Sequence, residues 1–391
     1  MPDVDVAVVG AGPGGIAAAL SAHGRGLETV VVDKATFPRD KTCGDGLTAG
    51  AIRAYRSLAF DPPALDGYGP VTETMLRSPS GRTVALGLPA TKAYAGVVPR
   101  AELDAAFVTS ARSRGVEVRE GNGVVEVTPA ADSVVLVLED GGVVRSRYLV
   151  AADGHYSRVR RLVEAELRVD LGGWHAYRQY FAHVDDPRLW VLFERELLPG
   201  YAWVFPLPGG RANVGFGVHR STGLHGRELA RLWREVIASS SIREVLGPEA
   251  KAEGTPRAWP IPSNYDSSAL GRGRIMFVGD AASVVDPMTG EGIAQALWSG
   301  ALAAAAIATT DDPEMVATRY RRAVDRALGR DLRFAGSLGR ILRLQLGARA
   351  AVRAAGLTSW TRRNFARWLF EDYPRALLLT PDRWKTARRG P

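Results

Sequence analysis

Gly273-Arg-Ile-Met-Phe-Val-Gly279-Asp280-Ala-Ala-Ser-Val-Val-Asp-Pro287-Met-Thr-Gly290-Glu-Gly292-Ile293-Ala-Gln-Ala296 is the stretch around which the chain is read. Ile275–Val278 is a short apolar strand, and Gly279-Asp280 closes it with a carboxylate. Open α/β sheets bind ligands at the carboxyl ends of their strands. A loop with Pro287, Gly290 and Gly292 follows, and the glycines let the backbone pass close to a flat ligand. From Ile293 an Ala-rich helix begins. Its free N–H groups point back at that ligand and favour negative charge there.

A partner for this block stands at the start of the chain. Val4–Val9 is an apolar strand, Gly10-Ala-Gly12-Pro-Gly14-Gly15 opens a helix to about His23, and Thr29–Val32 is a second strand ending at Asp33. Strand, glycine turn, helix, strand and acid in this order are the dinucleotide-binding fingerprint in its required context. Gly10 makes the tight turn, Gly12 admits a pyrophosphate, Gly15 lets helix and strand pack, and Asp33 can hold a ribose hydroxyl. No second glycine fingerprint occurs. One dinucleotide has a dedicated fold, and any further nucleotide must visit without one.

Between and beyond these blocks the texture changes twice. Phe37-Pro-Arg-Asp-Lys41-Thr-Cys43-Gly44-Asp45-Gly46-Leu47 is a glycine-rich loop packed on something flat, with a helix from Thr48. Strands are expected at Glu73–Arg77, Thr83–Leu86 and Tyr94–Val98, and a helix at Arg100–Ala111. Short strands follow at Val116–Arg119, Val124–Val127, Val134–Leu138 and Val143–Arg147. Tyr148–Ala152 reads as a further buried strand that ends in Asp153-Gly154. From about Glu166 to Ala269 the strand candidates are aromatic: Trp174–Val184, Leu189–Glu194, Tyr201–Phe205 and Ala212–Val218. They read as one sheet roofing a ligand cavity, with a helix at Glu228–Ile237. Beyond Ala296 the chain reads as helical.

The 391 residues carry 46% hydrophobic and 24% charged side chains, the values of a globular domain or two. A net charge of +8 suits nucleic acid, anionic lipid or a phosphorylated substrate. No nucleic-acid motif accompanies it. The single Cys43 excludes an internal disulfide and a multi-cysteine metal site, and no metal is expected. The N-terminus enters a strand at once, without a basic leader. The longest apolar run, Ile293–Ala308, is too short and interrupted to span a bilayer. A cytoplasmic location is the expectation. From Asp331 onward many Arg lie among Trp360, Phe365, Trp368, Leu369, Phe370 and Trp384. These are either helices packing on the body or a basic amphipathic surface in peripheral contact with anionic membrane.

Three motifs now stand in order: Gly10/Gly12/Gly15 with Asp33, Asp153-Gly154 with Ser157 and Arg160, and Gly279-Asp280 with Pro287. Together they resemble the para-hydroxybenzoate hydroxylase-like FAD superfamily. Lys41-x-Cys43-Gly44-Asp45-Gly46 and Tyr201-x-Trp203-x-Phe205-Pro206 are similar to the geranylgeranyl reductase branch. The resemblance implies an α/β fold: a Rossmann-like FAD-binding domain, an inserted sheet-rich substrate domain and a helical C-terminal part. The expected division is 1–70, 98–165 and 270–330 for FAD, 71–97 and 166–269 for substrate, and 331–391 for the helices.

The same resemblance implies FAD contacts at Gly10, Gly12, Gly14, Gly15, Asp33, Lys34, Cys43, Gly44, Arg100 and Val125. Further contacts are implied at Asp153, Gly154, Gly279, Asp280, Pro287, Gly290, Gly292 and Ile293. Arg100 would reach the phosphates or ribityl chain, and Asp280 the ribityl chain. Tyr201, Trp203 and Phe205 would line an apolar cavity for an isoprenoid whose double bonds are saturated by hydride from reduced flavin. NAD(P)H or a ferredoxin-type donor would supply the electrons. The proton would come from Cys43, Asp45 or Tyr201, and Cys43, with an ordinary pKa of about 8.5, holds its proton at neutral pH. The alternative is an oxygen-activating hydroxylase or a flavin halogenase acting on a small aromatic or natural product. A halogenase needs a lysine, for which Lys92 is a candidate.

Overall fold

The computed structural model describes residues 2–89, 94–163, 172–265, 270–342, 345–372 and 376. An eight-stranded sheet forms its base. Ile275–Phe277, Val143–Ala151, Val4–Val9, Thr29–Val32 and Glu117–Arg119 lie side by side and parallel. Parallel strands covered on both faces are all-apolar runs, and Val6, Val8, Val30, Val31 and Val150 are at most 1% exposed. The hairpin Val124–Pro129/Val134–Leu138 adds antiparallel strands to the far end of Val143–Ala151. The two strands expected at 143–152 are therefore one nine-residue strand. Its first half pairs with the hairpin and its second with the parallel core, which is why its texture changes midway.

Helix Pro13–His23 packs against helix Ile293–Ile307 through small residues. A Cβ on Gly300 would overlap the Gly14 carbonyl oxygen, and one on Gly15 would overlap that of Gly10. The fingerprint glycines are thus fixed by close backbone approach. Both helices start at the same place, over the carboxyl ends of the parallel strands.

A seven-stranded sheet lies across the top. Its order is Lys251–Ile261, Trp174–Ala182, Arg211–His219, Tyr201–Leu207, Leu189–Leu192, Glu73–Arg77, Thr83–Gly87. The outer face is covered by helix Gly226–Ala238, whose Leu229, Leu232, Trp233 and Val236 fall at helical spacing onto Phe216 and Val204. The other face packs Trp203, Phe205, Val191 and Leu76 with Phe370 and Ala366 of the C-terminal helices. The strand Lys251–Ile261 has no counterpart in the sequence reading. It is a largely exposed edge strand carrying Gly254, Pro256 and Pro260 among charges, so it lacks the apolar alternation by which strands are recognised.

The remaining segments follow their local signals. Thr48 caps helix Ala49–Ser57, its hydroxyl accepting from Ala51 N at 3.1 Å. Among the described residues no helix is long and apolar enough to cross a membrane. From Pro313 to Leu369 the described chain is helical except for short turns.

Candidate active site

A cavity of about 680 Å³ opens between the base sheet and the roof. Its floor is glycine. Gly10 sits at φ +103°, where only glycine is unstrained, and a Cβ on Gly12 would meet nothing nearer than the Arg39 guanidinium at 3.6 Å. Asp33 ends its strand below them. One of its oxygens accepts from Ala11 N at 2.6 Å and the other from Ala35 N at 2.8 Å. Gly14, Lys34 and Val125 also border the cavity. Gly15 does not. It lies one layer down, against the strand.

Helix Pro13–His23 begins at Gly12 and helix Ile293–Ile307 begins at Gly292, and neither start is capped by a side chain. Two sets of unsatisfied N–H groups therefore open onto one cavity, a ready place for anionic groups. Gly290, Gly292, Ile293, Gly279 and Asp280 line this end. Asp286 shapes the loop: its Oδ1 accepts from Met288 N and Thr289 N at 2.8 and 3.0 Å. Pro287 is not on the wall. Its carbonyl accepts from Trp174 Nε1 at 3.0 Å, which ties the loop to the roof.

The Asp153-Gly154 turn joins from the side. Asp153 accepts from Ser157 Oγ at 2.6 Å and from Val159 N at 3.0 Å, so its carboxylate starts the short helix Arg158–Val163. Burial pushes its pKa up. Gly154, at φ +81° with no atom within 4 Å of a would-be Cβ, leaves the turn open to the cavity. Arg160 crosses to the third motif. It donates to the Ala281 carbonyl at 2.8 and 3.1 Å and stacks 3.9 Å over Phe277. The three separated motifs are one physical unit.

The loop Lys41–Gly46 lies between floor and roof. Would-be Cβ atoms on Gly44 and Gly46 stand 3.3 and 3.2 Å from the Phe205 ring, so the flat object on this loop is the roof itself. Asn213, fully buried in the strand beside Trp203, fastens it. Its Nδ2 donates to the Cys43 carbonyl and to Asp45 Oδ2, both at 2.8 Å, and its Oδ1 accepts from Trp203 Nε1 at 3.0 Å. Asp45 is also buried, at φ +64°, and accepts from Tyr180 OH at 2.7 Å and Arg100 N at 3.2 Å. Burial pushes its carboxyl up to about 6, against the pull of Tyr180, Asn213 and Arg178. Asp45 does not itself border the cavity.

Cys43 does. It is half-buried on the cavity wall, and burial pushes its thiol pKa up. Lys41 stands 3.7 Å over the Trp259 ring and 4.0 Å from Asp280. Burial lowers its pKa to about 8, with Asp280 opposing. Arg100 is buried at the rim and held bidentately by Asp104 at 2.9 and 2.7 Å. Arg39 shares Asp104 at 3.1 Å and leans over Gly12. Tyr201 donates its hydroxyl to the Thr289 carbonyl, so its proton is engaged. Tyr201, Trp203 and Phe205 all face the cavity. Lys92 and Trp384 lie outside the described residues.

Arg39, Tyr180, Asn213 and Asp286 are the site residues the sequence reading missed. Asn213 had a signal, an amide in the middle of an apolar strand, since a buried polar residue requires partners. Arg39 and Tyr180 had none, because only folding brings them to the loop.

Uncapped helix starts, a glycine floor with room above it and an acid at the second strand fit a flavin dinucleotide, and define an FAD-dependent oxidoreductase. The chain belongs to the FAD-binding domain family, whose model matches residues 3–310, and is a geranylgeranyl reductase-like member of it. It is 34% identical over 325 residues to a menaquinone reductase of Mycolicibacterium smegmatis, covering 77% of this chain and 75% of that protein. It is 32% identical over 338 residues to digeranylgeranylglycerophospholipid reductase 1 of Methanopyrus kandleri, covering 83% and 86%. In fold it matches a geranylgeranyl bacteriochlorophyll reductase-like protein of Thermoplasma acidophilum, with a TM-score of 0.79 at 24% identity over 97% and 98% of the chains. The flavin-dependent halogenase CmlS shares the fold at a TM-score of 0.71 and 21% identity, over 99% of this chain and 78% of that one.

Proposed function

We propose that the protein saturates carbon–carbon double bonds in the isoprenoid chain of a lipid or prenyl quinone. One observation carries this reading: where the roof sheet lines the cavity, its wall includes an apolar and aromatic patch, Tyr201, Trp203, Phe205 and Ile261. A chain without polar groups can be bound there by burial alone, at about 25 cal/mol per Å² of apolar surface. The names of the relatives, which concern menaquinone and digeranylgeranyl lipids, support the same class of substrate.

FAD would be held by Gly10, Gly12, Asp33, Gly154, Asp280 and the Gly290–Ile293 turn, and when reduced would supply a hydride. The chain's own part is to orient the alkene, exclude water and deliver a proton to the neighbouring carbon. Cys43 is the donor this geometry favours. Its thiol is on the wall, and its raised pKa keeps the proton in place until it is needed. Tyr201 orients through Thr289, and Asp45 holds the loop from behind. Asn213 fixes the Cys43 backbone to the roof that lines the substrate channel. The electron donor in this reading is NAD(P)H or a ferredoxin-type protein, reaching the flavin beside Gly154.

Anaerobic turnover tests the reaction class. Enzyme reduced with dithionite and given a polyprenyl quinone or a geranylgeranyl lipid should yield product with two added hydrogens per reduced bond. Product that forms only with oxygen and carries a new C–O or C–halogen bond would replace this reading with the oxygen-activating one.

A further inference from the structure

We propose that Glu371 is a positioning residue that holds the Cys43 loop in register with the flavin-facing helix Ile293–Ile307. Helix Ser359–Leu369 ends in a hydrogen-bonded reversal: Glu371 N donates to the Trp368 carbonyl at 3.2 Å and Asp372 N to that of Arg367 at 2.9 Å. This is the Schellman ending of a helix, whose left-handed residue is usually glycine. Here that residue is Glu371, at φ +58°. A glutamate is strained where a glycine would not be, and such strain persists only where the surrounding structure over-determines it.

The side chain supplies the reason. Its Oε2 accepts from Thr48 Oγ1 at 2.6 Å and its Oε1 from Gln295 Nε2 at 2.8 Å. Both donor residues are buried, so losing the carboxylate would leave polar groups unpaired away from water. Thr48 directly follows the loop Lys41–Leu47 and caps the helix Ala49–Ser57, its hydroxyl accepting from Ala51 N while it donates to Glu371. Gln295 is the third residue of the helix whose uncapped start opens onto the flavin cavity. One carboxylate thus ties the element that leads from Cys43 to the element that faces the cofactor. The neighbours fit it closely. A Cβ on Gly50 would stand 2.9 Å from the Glu371 Cβ, and Arg53 donates to the Glu371 carbonyl at 2.6 Å.

The effect of this tie on turnover rests on the reading of Cys43 as proton donor, so the first readout avoids turnover. Cys43 is the only cysteine of the chain, and its alkylation by iodoacetamide reports on the loop alone. In FAD-loaded protein, Glu371→Gly relieves the strained helix end but removes the tie. Cys43 should then be alkylated about tenfold faster than in wild type, with the flavin still bound. Glu371→Asp keeps the charge on a side chain one carbon shorter, which cannot reach both donors, and should match the glycine variant. Glu371→Gln should alkylate at the wild-type rate, because its amide still offers an oxygen to one donor and the Thr48 hydroxyl can accept where it now donates. The comparison of aspartate with glutamine holds even if the glycine variant is unstable. In anaerobic saturation assays the glycine and aspartate variants should lose about tenfold in kcat with KM little changed, and the glutamine variant should not. Faster alkylation at wild-type kcat would keep the tie and remove Cys43 from the reaction. Wild-type alkylation in Glu371→Asp, or equal acceleration in the aspartate and glutamine variants, would overturn the proposal.

Discussion

Asp45→Asn isolates the cost of holding a charge behind the active-site loop. Asp45 is fully buried and receives three donors: Tyr180 OH, Asn213 Nδ2 and Arg100 N. Its pKa rises from an ordinary 3.8 to about 6 because burial outweighs those donors. The folded chain therefore holds more protons than the unfolded chain between about pH 4 and pH 6, and stability falls as pH rises through that window. Ionising the group inside the fold costs about 3 kcal/mol in all, and roughly half of that develops between pH 5 and pH 8.

The asparagine variant has no such titration. It offers one acceptor oxygen to three donors, a pH-independent cost of about 1–3 kcal/mol relative to wild type with Asp45 protonated. Wild type should thus lead by most at pH 5, and its lead should shrink by roughly 1–2 kcal/mol by pH 8. For a chain of this size that is about 2 °C in unfolding midpoint. Thermal unfolding of both proteins in FAD-saturated buffer from pH 5 to pH 8 reads the difference directly. A gap that stays constant, or widens toward pH 8, would refute the assignment of Asp45 as a buried group ionising in the folded state.

Other substitutions probe the floor, the donor and the roof. Gly12→Glu should give colourless protein that cannot be reconstituted with FAD, because the side chain would fill the space in front of the helix start. Yellow protein would remove the glycine floor from the cofactor site. Cys43→Ala should retain FAD and be reduced by its electron donor normally, yet saturate substrate about 10²–10⁴ times more slowly, with Cys43→Ser intermediate. Wild-type saturation rates in the alanine variant would leave Cys43 as packing. Gly215→Ala places a Cβ where the Trp203 ring and the Tyr177 carbonyl now meet, and overpacking of this kind costs about 1–3 kcal/mol. A drop in unfolding midpoint together with weaker substrate binding is expected, and an unchanged midpoint would show that Trp203 can move freely.

Legibility in the sequence followed the physics of each element. The parallel core was readable because its strands are buried on both faces and each runs into a glycine turn with an acid nearby. Tyr201–Leu207 and Arg211–His219 were readable because aromatic and β-branched residues cluster in them. Lys251–Ile261 was not, since an exposed edge strand has no apolar face to reveal its period. At the site, the glycines and terminal carboxylates could be placed because their roles are local, set by the turn they occupy. Arg39, Tyr180 and Asn213 act across 65, 135 and 170 positions of sequence, where no periodicity reaches. Arg100 shows the converse: its place at the rim was expected, but its bidentate hold by Asp104 depends on a fold-level choice between a ligand and a neighbour.

The amide of Asn213 also governs how this scaffold can be recombined. It belongs to the roof, whereas the two groups it binds, the Cys43 carbonyl and the Asp45 carboxylate, belong to the loop that leaves the base. The roof strands of a relative could be grafted onto this base only if the graft brings an amide at the same register position. A chimaera with an apolar residue there would inherit a new roof and a loop whose Cys43 carbonyl has lost its tie to that roof, with only Tyr180 and Arg100 left on the Asp45 carboxylate. Position 213 and the loop 43–45 are therefore a single exchangeable unit, divided between two stretches of chain, and whoever redesigns the pocket must move them together.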